Sequence, residues 1–201
     1  MSIRLSVIII TAIFLLQPAC TTTRHKIRFE YRQIDEGHGN SIITDLDGDG
    51  INDIVKIGGQ EESVVLYAWK TDNTFSRSAL IRDVYMRGDR VEAADLDQDG
   101  DIDLVGGINE DDNLYITWIQ NPLMEGQGNW TVHKIGYQGT EDDILTAYTK
   151  DVGIADFNGD GKLDVVTRTN RRTRIFLQIT PTDWQDPIVK DHHDHEGPAG
   201  P

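Results

Sequence analysis

Asp95-Leu96-Asp97-Gln98-Asp99-Gly100-Asp101-Ile102-Asp103-Leu104-Val105 is the stretch on which the fold turns. It carries carboxylates at loop positions 1, 3, 5 and 9 and a glycine at position 6. Alternate side chains on a curling loop point inward, and glycine permits the sharp turn. The backbone carbonyl of position 7 completes an oxygen shell suited to a hard cation. The pattern returns in Asp45-Leu46-Asp47-Gly48-Asp49-Gly50-Ile51-Asn52-Asp53 and in Asp156-Phe157-Asn158-Gly159-Asp160-Gly161-Lys162-Leu163-Asp164. The first aspartate recurs after 50 residues and again after 61. Repetition at such intervals points to an architecture built of units.

The candidate ligands of the first loop are Asp45, Asp47, Asp49 and Asp53, with the Ile51 carbonyl. In the second they are Asp95, Asp97, Asp99 and Asp103, with the Asp101 carbonyl. In the third they are Asp156, Asn158, Asp160 and Asp164, with the Lys162 carbonyl. A large, flexible shell of protein oxygens favours calcium over magnesium, which demands a tight octahedron and keeps its water. About three structural calcium sites are therefore expected, the third weakest because Asn158 replaces a carboxylate. An EF-hand would place a bidentate glutamate at position 12, where this chain has Lys56, Gly106 and Thr167.

The formal net charge is −15. Eleven carboxylates are candidate ligands in the three loops, four, four and three, where without a cation they would repel one another and resist ionisation. The acidity thus reads as a metal requirement. No basic cluster is present to neutralise phosphates, which excludes nucleic acid and anionic membrane surfaces as partners.

Beyond residue 26 the chain reads as short strands between turn-forming clusters, without helical periodicity. Each loop is followed by a run apolar on both faces, a mark of buried strands: Ile54-Val55-Lys56-Ile57, Ile102-Asp103-Leu104-Val105 and Leu163-Asp164-Val165-Val166. Loop position 2 is apolar each time (Leu46, Leu96, Phe157) and is expected to turn into the core. Third strands are expected at Tyr67–Trp69, Tyr115–Trp118 and Ile175–Leu177, and fourth strands opening at Phe75, Trp130 and Trp184. Recurrence at matched positions assigns Trp69, Trp118, Trp130 and Trp184 to packing rather than to sugar stacking, and His133 to an ordinary strand. Extra length falls in Gly136–Tyr148, read as a polar insertion. The expected fold class is all-β, with three four-stranded units near 39–82, 91–136 and 150–191. Four strands per unit of this length is the pattern of a β-propeller blade. A further strand at Ile27–Gln33 has no partners before it and would leave an exposed edge.

On these three Asp-x-(Asp/Asn)-x-Asp-Gly-x-x-Asp loops, residues 27–191 resemble the FG-GAP/VCBS repeat family, calcium-binding blades of integrin-type propellers and bacterial surface proteins. The Phe-Gly and Gly-Ala-Pro signatures are absent, which places the resemblance nearer the VCBS-type variant. It implies a propeller of about seven blades, with calcium bridging the first and second strands of each blade. Three loops fall short of the roughly four to eight blades that close a ring. The expected object is a partial or open propeller, completed by further blades or another chain, with 192–201 a tail or the start of a missing blade.

Residues 1–20 read as an export signal: Arg4, an apolar run Leu5–Leu16, then Gln17-Pro18-Ala19-Cys20. Twelve residues of helix rise about 18 Å, short of a hydrocarbon core of roughly 30 Å. Cys20, the chain's single cysteine, stands where a lipoprotein signal places its lipidated residue, with 21–26 as tether. The alternative is ordinary secretion with cleavage near Ala19. Either way the protein is expected to be exported, to the outer membrane or cell envelope as a lipoprotein or to the medium. Asp191-His192-His193-Asp194-His195-Glu196 reads as a flexible tail, with a transition-metal site as the alternative. No Gly-x-Ser-x-Gly, metalloprotease histidine pair or phosphate loop occurs. The expected function is a binding, adhesion or scaffold module for an extracellular glycan or protein; the competing reading is a carbohydrate-active enzyme of lyase or hydrolase type, or a fragment of one.

Overall fold

The computed structural model describes residues 31, 33–36, 39–58, 61–122, 129–140, 142 and 148–192. The chain divides into two units, Met1–Gln33 and Ile34–Pro201, and the architecture that follows belongs to the second. The export signal, Cys20, the tether and the histidine run beyond His192 lie outside the described residues. Of the expected strand Ile27–Gln33 only Tyr31 and Gln33 are described, and neither is in a strand.

The fold is all-β, with three four-stranded antiparallel sheets. The first comprises β1 (Asn40–Thr44), β2 (Asp53–Ile57), β3 (Glu62–Trp69) and β4 (Phe75–Arg82), each paired with the next. The second runs β5 (Tyr85–Ala94), β6 (Asp103–Glu110), β7 (Asn113–Gln120) and β8 (Thr131–Thr140) in the same meander. Its tightest hairpin joins β6 to β7 through Asp111 and Asp112, with φ of 49° and 61°. Left-handed residues at both central positions give the turn whose twist matches that of the strands. The third sheet contains β9 (Asp151–Ala155), β10 (Asp164–Arg168), β11 (Arg172–Phe176) and β14 (Ile188–Asp191). A small hairpin, β12 (Gln178–Thr180) with β13 (Asp183–Trp184), interrupts it.

Two expectations need correction. Trp184 does not open a fourth strand: it belongs to the small hairpin and packs against the core, and β14 begins only after Pro187. Proline has no N–H to donate to a ladder, so the strand starts behind it. The expected insertion at Gly136–Tyr148 also starts later. β8 continues to Thr140, with Tyr137 opposite Tyr115 and Gly139 opposite Leu114, so the second sheet is wider than 91–136.

β1 lies against β5, and β5 against β9. With first strands side by side and each sheet running outward from them, the three sheets stand as propeller blades in an open array. Two apolar cores fill the spaces between them. The first joins Leu46, Val55 and Leu66 of blade one to Leu104, Ile108 and Ile119 of blade two. The second joins Leu96, Val105 and Trp118 of blade two to Val152, Val165 and Phe176 of blade three. Gly136 is required here, because a Cβ would come 2.1 Å from the Phe176 ring.

Polar clasps accompany the cores. One residue past the third strand, Asn121 of blade two donates through its side-chain amide to the Leu46 carbonyl of blade one at 3.1 Å. Gln178 of blade three reaches back in the same way to the Leu96 carbonyl at 3.2 Å. Lower down, Arg174 of blade three donates to the Gln138 carbonyl of blade two at 2.7 Å and to its side-chain oxygen at 3.0 Å. All are buried, where each unmade hydrogen bond would cost about 1–3 kcal/mol, so they fix blade register as well as adding stability.

Candidate metal centre

The loops owe their shape to a backbone scheme repeated three times. Position 9, the first residue of each second strand, is fully buried in every blade (Asp53, Asp103, Asp164). One of its oxygens accepts the position-2 amide: Leu46 N at 3.1 Å, Leu96 N at 3.1 Å and Phe157 N at 2.9 Å. The other accepts an amide at or just beyond the end of the third strand: Trp69 N at 3.2 Å, Asn121 N at 2.8 Å and Gln178 N at 2.9 Å. A single carboxylate thus ties loop, second strand and third strand together. Position 1 accepts the position-6 glycine amide at 2.9, 3.1 and 2.9 Å (Asp45, Asp95, Asp156). Position 5 accepts the position-7 amide at 2.9, 3.1 and 3.0 Å (Asp49, Asp99, Asp160). The position-6 glycines have φ of 86°, 103° and 87°, a region closed to most other residues.

With position 9 committed to the backbone, positions 1, 3 and 5 turn to a common point. In the first two loops an oxygen from each lies within 4.8 Å of the others: Asp45, Asp47 and Asp49, then Asp95, Asp97 and Asp99. At position 1 the second oxygen, Oδ1 of Asp45 and of Asp95, is buried and accepts no hydrogen bond from any described residue. A buried acceptor left unpaired in both copies is one a cation would satisfy, and the all-oxygen donor set suits a hard one. Burial first, then the charges of Asp99 and Asp95, raises the pKa of Asp97. Burial likewise raises Asp53 and pushes Asp103 up to about 7, against its two amide hydrogen bonds. These clusters could hold a metal ion.

The model of the FG-GAP-like repeat matches the chain twice, over residues 45–106 and 95–167. Both windows open at position 1 of an acidic loop, and together they span well over half of the sequence. The chain belongs to the FG-GAP-like repeat family. No curated protein matches it. Among solved structures, a lectin from Agrocybe aegerita is similar, described as specifically recognising non-reducing terminal N-acetylglucosamine. The similarity has 19% identity and a TM-score of 0.49, and covers 75% of this chain and 37% of the lectin. This chain therefore spans little more than a third of that lectin's length.

The third FG-GAP-like loop keeps the backbone scheme but has no unbonded oxygen at position 1. Both oxygens of Asp156 are occupied by backbone amides, Oδ1 by Gly159 at 2.6 Å and Asp160 at 3.2 Å, Oδ2 by Gly161. Those bonds hold its carboxyl below the usual range. Asp160 is lowered too, by the Lys162 amide and then by the Lys162 ammonium, 3.0 Å from its Oδ2. A lysine thus sets its own cation beside a candidate ligand, where the other loops carry Ile51 and Asp101. Asn158 and both aspartates are exposed. Phe157 departs from expectation as well: Leu46 and Leu96 are 1% and 0% exposed, whereas Phe157 is 48% exposed. Its counterparts are covered by the following blade.

A cleft of about 610 Å³ separates the first two loops, lined by Asp45, Asp47, Gly48, Asn52, Gly100 and Asp101. Asp101, expected to contribute only its carbonyl, has a buried side chain at this cleft. Trp118 is buried, and His133 stacks on it with ring centroids 4.5 Å apart. Asn121 and Gln178 escaped the sequence reading. The signal that could have found them is an amide residue within two positions of the end of the third apolar strand.

Proposed function

We propose that this FG-GAP-like repeat protein is an exported, calcium-stabilised binding or scaffold module for an extracellular glycan or protein, held to the envelope through a lipidated Cys20. The observation that carries the metal part is the pair of orphaned, buried position-1 oxygens, each within a cluster of three convergent carboxylates. Calcium suits them because the shell is built of protein oxygens on a flexible loop. The metal is structural in this reading: the acidic loop joins the first strand to the second, and its neighbours anchor the blade interface. Ligand recognition then falls to the loop ends of the blades, where the cleft between the first two loops offers an acidic, ion-lined surface.

The test is thermal unfolding of the mature chain in millimolar calcium and in EGTA. Binding to the native state alone raises the melting temperature in calcium, by an amount that grows with the logarithm of free ion. A melting temperature indifferent to calcium sinks the metal reading. Export and lipidation are tested separately, by metabolic labelling with a palmitate analogue of the wild-type chain and of Cys20→Ser.

A further inference from the structure

Three equivalent positions form the forward face of every blade: loop position 2, the second residue after position 9, and its partner on the third strand. In blade one they are Leu46, Val55 and Leu66; in blade two, Leu96, Val105 and Trp118; in blade three, Phe157, Val166 and Ile175. The first two sets are buried in interblade cores. The third is open: Phe157 is 48% exposed, Ile188, opposite Ile175 on β14, is 58% exposed, and Val166 and Ile175 are only partly covered. Two interfaces of one kind are therefore made, and the surface for a third is presented in continuity with them.

The made interfaces also state what a partner at this face must carry. Blade two brings Leu104 and Ile119, blade three brings Val165 and Phe176, as cross-strand apolar pairs. Each then closes an amide onto the position-2 carbonyl behind it, Asn121 onto Leu46 and Gln178 onto Leu96. We propose that the forward face of blade three docks another FG-GAP-like blade, one with an apolar second- and third-strand pair and an Asn or Gln one or two residues past its third strand. That amide closes on the Phe157 carbonyl.

A second copy of this chain does not meet the description. At the clasp position blade one has Trp69, packed edge-on against Phe75 at 4.7 Å. Residues on the rear face of blade one are also already engaged: Val65 and Tyr67 are buried, and Asp35 is ion-paired to Lys56 at 2.7 Å while accepting the Tyr67 hydroxyl. The partner is thus a blade of different sequence. Docking would cover the third loop as the first two are covered. The inference deepens the scaffold reading above and rests on it.

The experiment appends a duplicate of residues 85–140, whose Asn121 supplies the amide, to the full chain, with a duplicate of 151–192, carrying Gln178, as a second version. Amide hydrogen exchange of β10 and β11 is read in saturating calcium. Docking slows exchange there at least tenfold relative to the parent chain, and Asn121→Ala in the appended copy returns about fivefold of that, the worth of one buried hydrogen bond. Unchanged exchange with both duplicates overturns the proposal, as does equal protection with and without the amide. A dimer of the parent chain, abolished by Phe157→Ser in sedimentation, also overturns it by making a second copy the occupant. The calcium shift of the parent chain is measured alongside, so a failed metal reading shows there and a failed docking surface shows only in the exchange.

Discussion

In the loops that begin at Asp95 and at Asp156 the same bonds recur: position 9 accepts the position-2 amide at 3.1 and 2.9 Å, and position 1 accepts the position-6 glycine at 3.1 and 2.9 Å. The difference lies in what remains. The Asp95 loop keeps a buried oxygen with no hydrogen bond and a cluster of three carboxylates; the Asp156 loop has Asn158 in the cluster, Lys162 against Asp160, and every ligand candidate of positions 1, 3 and 5 exposed. Loop shape is therefore a property of the backbone staples. Metal demand is a property of the carboxylates those staples leave over. The two can be separated by mutation.

The largest effect should come from the staple that both loops share. Asp103→Ala leaves Leu96 N and Asn121 N without acceptors inside the core, a loss of about 3 kcal/mol or more. Asp103→Asn retains one carbonyl acceptor and loses about half as much. Asp164→Ala should be milder, because Phe157 is half exposed and water reaches its amide. Urea unfolding of the three variants in EGTA gives the ranking; equal losses at Asp103 and Asp164 would mean that burial of position 2 does not matter.

Calcium provides the second contrast. At free calcium about a hundredfold above Kd, a calcium site at the Asp95 loop should add about 2.7 kcal/mol to the native state. Asp95→Asn removes that increment, so its melting temperature rises less on adding calcium than that of wild type. Asp156→Asn changes the calcium response little, since both Asp156 oxygens are already taken by amides. A reversed order in differential scanning calorimetry would show that the third loop is the principal site.

Much of this was legible in the residues, and the parts that were not have a common cause. Three loops at matched spacing identified the repeat, the metal-type donors and the blade, because those follow from local periodicity. What sits across an interface does not. Position 9 looked like positions 1, 3 and 5, being an aspartate at odd spacing; only the third strand folding back shows it buried between two amides. Asn121 and Gln178 were hidden because hairpins of unequal length set them 18 and 14 residues from their aspartates. Phe157 was assigned to the core on the pattern of Leu46 and Leu96, whose burial depends on a following blade.

Proton linkage gives the third contrast. The carboxyl of Asp103 rises to about 7 in the fold from 3.8, and Asp53 and Asp97 rise with it, each through burial first. A raised folded pKa means that the native state holds protons the unfolded state has released. Without metal, stability should therefore fall as pH climbs from about 4 through 7, by about 2 kcal/mol between pH 5 and 7 and never more than about 1.4 kcal/mol per unit for one group. Saturating calcium should flatten or invert the trend, because the ion favours the ionised carboxylates. Chemical denaturation in EGTA across that range checks the sign, and a stability that grows with pH contradicts it.

The smallest and most selective effect concerns Lys162. Replacing it by isoleucine, the residue at the same position of the first loop, removes an ammonium 3.0 Å from Asp160 Oδ2 and leaves the Lys162 backbone amide bonded to Oδ1. Exposed pairs of this sort are worth about 0.2–1 kcal/mol, so stability in EGTA should hardly move. Calcium affinity at the third loop should nevertheless rise, since the ion no longer competes with a tethered cation, and each 1.4 kcal/mol of relief is a tenfold gain. Asn158→Asp on the same background adds the missing carboxylate and should raise it again. Calorimetric titration resolves this as an additional, weaker class of sites absent from the wild-type isotherm. If both variants titrate like wild type, charge is not what separates the loops, and the exposure of the third loop on blade three's uncovered forward face must be the cause.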